Sequence, residues 1–190
     1  MKKVNKINKI NKINKKLLLL GLGALMCFSN YSFASVGAVI QNTNPTDGGA
    51  GQWPNPRFEP AKKADNTPCN DALYDKLTGL MWGKDGSVFG QKDWNNATSY
   101  ATNLTLCGYD DWRLPTINEL KSLVNYSDTV SPAHWLDLSG FSNVVGGEYW
   151  SSTHNSLSGD TVWSVAMNFG GVQPANQTYN GYVLPVRQPY

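Results

Sequence analysis

From residue 69 onward the apolar residues follow two recurring patterns. Trp163, Val165, Met167 and Phe169 alternate with Ser164, Ala166 and Asn168. Period two is the pattern of a half-buried strand, so Thr161 to Phe169 is predicted as one, closed by Gly170-Gly171. Ala72 to Trp82 reads as a strand, a turn at Thr78-Gly79 and a second apolar strand. Glu148 to Thr153 is a short aromatic strand, and Asn180-Gly181 marks a turn before a last strand over Tyr182–Arg187. Pro185 removes a backbone donor there and implies an edge or a bulge. Helical spacing intervenes. Trp94, Ala97, Ala101 and Leu104 share one helical face, with Asp93 as N-cap and Cys107-Gly108 as the stop. Thr116-Ile117-Asn118-Glu119 matches a capping box behind Pro115. Leu120, Leu123 and Val124 give that second helix its apolar face, and it should stop near Asn125. After residue 126 only strands and loops are expected. Strands, two helices and strands again predict an α+β fold with an antiparallel sheet.

The N-terminal part has a different texture. Seven lysines precede residue 17, the apolar run Leu17–Phe28 follows, and Ser32-Phe33-Ala34 offers small residues for a cut after Ala34. Residues 1–34 are therefore expected to be a secretory signal. The apolar run is about 12 residues, short of the roughly 20 that span a bilayer. A lipoprotein signal ending at Cys27 competes, but Met26 stands where a small residue is needed. Residues 35–56 are expected to be a flexible Gly-, Pro- and Asn-rich linker, with Trp53 onward lying against the domain, and 57–190 the domain. The mature chain is thus assigned to the periplasm, the cell surface or the medium, with no membrane span once the signal is cut.

Removing the signal reverses the charge. Seven of the 16 basic residues go with it and all 14 acidic residues stay, so the formal charge changes from +2 to −5. Clustered Lys and Arg mark nucleic-acid binding. Here Lys62-Lys63 is the only adjacent basic pair after residue 34, which argues against a nucleic-acid partner. Cys69 and Cys107 are the two cysteines left. In an exported protein they are read as one disulfide, with two free thiols as the alternative. All seven tryptophans lie beyond residue 34. Such density suits both a loop-rich core and a sugar-binding surface, since each ring offers a flat apolar body with a polar handle.

Five motifs occur in order: Leu80-Met81-Trp82 after Asp75; Trp94-x-x-Ala97-x-x-Tyr100; Gly108-Tyr109-x-Asp111-Trp112-Arg113-Leu114-Pro115-Thr116-x-x-Glu119-Leu120; Tyr149-Trp150-Ser151-Ser152-Thr153; and Val186-Arg187. Together they resemble the Lcl C-terminal domain family, over roughly residues 57–188. That family takes its name from the tail of a collagen-like bacterial adhesin. Trp94 to Leu120 also resembles formylglycine-generating enzymes. The resemblance implies a C-type-lectin-like fold: two helices, a small twisted antiparallel sheet and long loops. It also implies binding to sulfated polysaccharides, against which the charge of −5 weighs, since an anionic polymer favours a basic surface. The family often has a cysteine after the tyrosine of the first helix; here that residue is Ala101.

The chemistry is weighed residue by residue. Formylglycine-type oxidation needs a C-terminal cysteine pair, and no cysteine follows Cys107. Ser152, His154 and Asp160 invite a hydrolase reading, but no nucleophile-elbow signature surrounds the serine. Gln173-Pro174-Ala175 and Trp94-Asn95-Asn96 are incomplete echoes of a calcium-lectin site, too poor in oxygen for the six to eight ligands calcium takes. No enzyme activity, metal or cofactor is expected. Trp82, Trp112, Arg113, Pro115, Thr116, Glu119, Trp150 and Trp163 are expected to be structural, with Arg113 paired to Glu119 or Glu148. Ligand contacts are expected from loops, at His134, Trp135, His154, Asn155, Asn176 and Tyr179. The functional expectation is a non-catalytic module for a polysaccharide or a surface protein. A structural or assembly domain of a surface component is the alternative.

Overall fold

The computed structural model describes residues 53–189. The signal assigned to residues 1–34 and most of the linker lie outside the described residues. Strands β1 (Phe58–Lys62), β2 (Pro68–Asp75) and β3 (Met81–Gly83) lead into helix α1 (Trp94–Thr102). Helices α2 (Ile117–Ser122) and α3 (Pro132–Leu138) follow, then β4 (Glu148–His154), β5 (Thr161–Ala166), β6 (Gly171–Asn176) and β7 (Val186–Arg187). The strands form two small antiparallel sheets, ordered β1-β2-β3-β7 and β4-β5-β6. The described residues are thus mixed α and β, with three helices and two sheets rather than two helices and one sheet.

Local chemistry accounts for most boundaries. The Asp93 carboxylate accepts the Asn96 amide and starts α1. Both halves of the Thr116–Glu119 capping box form at α2. The helix absent from the sequence reading, α3, is a seven-residue segment too short to show periodicity. Ser131 caps it through the His134 amide, and Pro132 opens it where no helical hydrogen bond is lost. The stop of α1 also differs from expectation. It ends at Thr102, where the Asn103 backbone and side chain both bond the Ser99 carbonyl. Cys107 and Gly108 instead share left-handed backbone in the tight turn between Leu106 and Tyr109.

The largest correction concerns β5, which stops at Ala166 because Gly170, at φ +76°, turns the chain there. Its alternation does not place Trp163 in the core. Val162, Ser164 and Val165 are buried, whereas Trp163 is half-buried and Phe169 is exposed. Both faces of the second sheet are covered, so period two does not separate inside from outside. Val162 packs with Ala97, Ala101 and Leu114 on one face, and Val165 with Leu120 and Leu123 on the other.

The main core joins the sheets through Leu73 and Trp82 of the first, Tyr149 and Val165 of the second, and Leu120, Leu123 and Leu136 of the helices. A second cluster of Ala61, Met81 and Trp112 surrounds the Cys69–Cys107 disulfide, whose sulfurs are 2.02 Å apart. The segment before β2 is firmly fixed. Buried Arg57 makes two hydrogen bonds to buried Asp75, at 2.8 and 2.6 Å, and a third to the Ser122 carbonyl. The Arg57 guanidinium also lies 4.5 Å from the Trp53 ring.

Candidate functional site

The motif Trp112-Arg113-Leu114-Pro115-Thr116-x-x-Glu119 is a bracket between the sheets and α2. Trp112 and Leu114 are buried in separate clusters, and Trp112 donates to the Leu106 carbonyl. Arg113 forms a bidentate pair with Glu119, both bonds 2.8 Å. Burial by itself would raise the Glu119 carboxyl, but hydrogen bonds from Arg113 and Thr116 outweigh it and hold the carboxyl below the usual range. Glu148, the other candidate partner, bonds Ser164 and Gln173 instead. Pro115 is buried, and its carbonyl accepts from the Ser152 backbone amide and hydroxyl. Trp82 and Trp150 are fully buried, the latter donating to the Lys92 carbonyl at 2.7 Å.

Arg187 is almost fully buried. It forks onto Asp111 at 2.6 and 3.1 Å and lies 3.7 Å from the Tyr109 ring. Its hydrogen bond keeps the Asp111 carboxyl below its ordinary pKa.

The six loop candidates separate into two groups. His134 and Trp135 lie on α3. His134 faces the Asp128 carboxylate at 3.3 Å. Trp135 is half-buried and packs against Trp53 and Phe58 at 5.1 and 5.9 Å between ring centres. That contact gives Trp135 a packing role. The other four, His154, Asn155, Asn176 and Tyr179, are brought to one end of the molecule by the second sheet and the start of α1. The His154 ring meets the Trp94 ring edge-on at 5.0 Å, and Trp94 donates to the Ser151 carbonyl. Asn155 ties the β4–β5 turn through Thr161 and Leu157. The Asn176 carbonyl oxygen accepts the Thr178 amide and hydroxyl. Tyr179 is about half exposed and stands edge-on to Trp150 at 6.3 Å.

A shallow cleft of about 500 Å³ opens beside this group, lined by Asp93, Asn95, Asp160, Asn176, Gln177 and Thr178. Backbone bonds from Trp94 to Gln177 and from Gln177 to Asp160 stitch its walls together. The Asn95 side chain and the Asp160 carboxylate make no hydrogen bond within the described residues. Asn95 and Asp160 enter the sequence analysis only in the calcium-lectin echo and the hydrolase trio, and Gln177 lies in the loop between the candidates Asn176 and Tyr179; the fold brings all three to one cleft. A second cleft, about 410 Å³ and mostly apolar, lies between β3 and the end of α1. Its lining includes Val88, Phe89, Leu104, Leu106 and Pro185, with Asp71 and Asp85 among its polar groups.

The hydrolase arrangement is not assembled: the Ser152 hydroxyl donates to Pro115, while His154 packs on Trp94. Among the described residues no group of three or more His, Cys, Asp and Glu side chains converges as a metal site would require. No described helix is long and apolar enough to cross a membrane.

These features define a class: a disulfide-stapled domain of mixed α and β structure, held by one buried and two partly exposed arginine–carboxylate pairs, with an open polar cleft at the ends of strands. The family model for the Lcl C-terminal domain matches residues 71–187, and the chain belongs to that family. The match begins within β2, so β1 and the Arg57 anchor precede it. No curated protein matches the chain.

Proposed function

We propose that the chain is exported, loses residues 1–34, and acts outside the cytoplasm as a non-catalytic module that binds glycans in an adhesin-like role. The domain is read as C-type-lectin-like and distantly akin to the formylglycine-generating enzymes. The order of strands, helices and strands and the long loops support that reading. The disulfide supports an oxidising location.

One observation carries the binding role. An open cleft is lined by Asn176, one of the six candidate ligand residues, and by the Asn95 and Asp160 side chains, which have no hydrogen-bond partner among the described residues, with the half-exposed Tyr179 ring three residues on from Asn176. Rings beside amides and carboxylates suit a sugar: C–H faces stack while hydroxyls bond to the polar groups. A glycan array with the mature chain tests this. Retention on at least one saccharide, weakened by Tyr179→Ala, is expected. Binding to no saccharide at low salt would contradict it.

Assembly with another protein is a second reading, favoured by the exposed Tyr126, Phe169 and Val172 around Gly170. It predicts a defined partner in crosslinking pulldowns, lost on Phe169→Ser.

A further inference from the structure

The cleft also bears on which saccharide it accepts. Its lining holds two carboxylates, three amides and one hydroxyl, and no lysine or arginine. The first turn of α1 borders it, and free helix amides ordinarily attract an anion. Here that capacity is already taken. The Asp93 carboxylate accepts both the backbone amide and the side-chain amide of Asn96, at 3.0 and 2.6 Å. These bonds lower the Asp93 pKa, so the group stays charged at neutral pH. Lys92, the neighbouring cation in the chain, has its ammonium 5.3 Å from the Tyr100 ring. All three arginines are committed to carboxylates elsewhere. A sulfate or uronate entering the cleft would meet Asp93 and Asp160 with no compensating cation in the lining.

We infer that the cleft takes an uncharged saccharide and excludes sulfated and other anionic glycans. The inference rests on the glycan-binding reading above and specifies its ligand. Sugar hydroxyls donate to the Asp160 and Asp93 carboxylates and exchange hydrogen bonds with the Asn95 amide. A neutral hexose can make the contacts to the carboxylates, and a sulfate, which only accepts, cannot. Binding of this kind depends weakly on salt, whereas polyanion binding falls steeply as salt rises.

The test uses the mature chain on immobilised chitin, mannan, β-glucan and heparin at low and high salt. Two variants are compared, Asn95→Ala and Asp160→Lys, each checked for native circular dichroism. Expected is retention on a neutral polymer that changes less than about twofold with salt, and no retention on heparin. Asn95→Ala should weaken neutral binding several-fold, and Asp160→Lys should weaken it while introducing heparin retention. Wild-type retention on heparin but on no neutral polymer would overturn the inference and leave glycan binding standing. Neutral binding that neither variant alters would also overturn it, by placing the ligand elsewhere. Retention on neither class would overturn both the inference and the reading beneath it.

Discussion

The region around the first sheet and the end that carries the cleft treat charge in opposite ways. Near β1, β2, β3 and β7 the arginines are tied into the fold. Arg57 locks Asp75, Arg187 locks Asp111, and Arg113 locks Glu119 while its backbone bridges β7. The disulfide lies in the same region. At the cleft end the carboxylates have no arginine. Asp93 caps a helix, and Asp160 has no side-chain partner among the described residues. Arg57 and Arg187 are buried and the partly exposed Arg113 is paired with Glu119, so no guanidinium lines the cleft. The same allocation of charge that ties the arginines into the fold leaves the cleft lining without a cation.

The contrast can be broken at its strongest point first. Arg57→Met leaves Asp75 buried without its guanidinium partner, and should cost about 3–5 kcal/mol in denaturant unfolding. A loss below about 1 kcal/mol would mean that the anchor is idle. Cys69→Ala, or reduction, opens a loop of 38 residues. It should remove up to about 4 kcal/mol on the chain-entropy account; an unchanged melting temperature would contradict it. Thr116→Ala removes one half of the α2 capping box and should cost about 1 kcal/mol. At the cleft, Asn95→Ala should change stability by no more than about 0.5 kcal/mol, as an exposed side chain without a partner should.

Acid sharpens the comparison. The Asp111 and Glu119 carboxyls are held below their ordinary values, so each stabilises the fold above the unfolded pKa of about 4. That contribution is lost as pH falls through the folded values. Stability measured from pH 6 to pH 2 should drop below about pH 4, and Arg187→Gln should flatten the part due to Asp111.

Much of this frame was readable from residue order because it depends on local chemistry. The Thr116–Glu119 box, the Asp93 cap and the Cys69–Cys107 pair each need only neighbours in sequence or a unique partner, whereas the choice of Glu119 over Glu148 for Arg113 needs the fold. What was hidden depends on three-dimensional placement. Trp163 looked buried because alternation was taken to mean one buried face, whereas the second sheet is covered on both. Helix α3 is too short for periodicity to register. Trp135 looked like a loop ring free for ligand because nothing in sequence announces its packing on Trp53, some 80 residues earlier. The cleft draws Asp93 and Asn95 from one segment and Asp160 and Gln177 from the β5–β6 hairpin, so it exists only once those strands pair.

Binding of an uncharged glycan at the cleft end is read residue by residue in amide NMR of the mature chain titrated with chitin, mannan and β-glucan oligosaccharides. The account predicts saturable shifts at Asp93–Asn95, Asp160 and Asn176–Thr178 with at least one neutral series, and none there with a heparin oligosaccharide. Shifts confined to other residues, or produced at the cleft only by heparin, would contradict it.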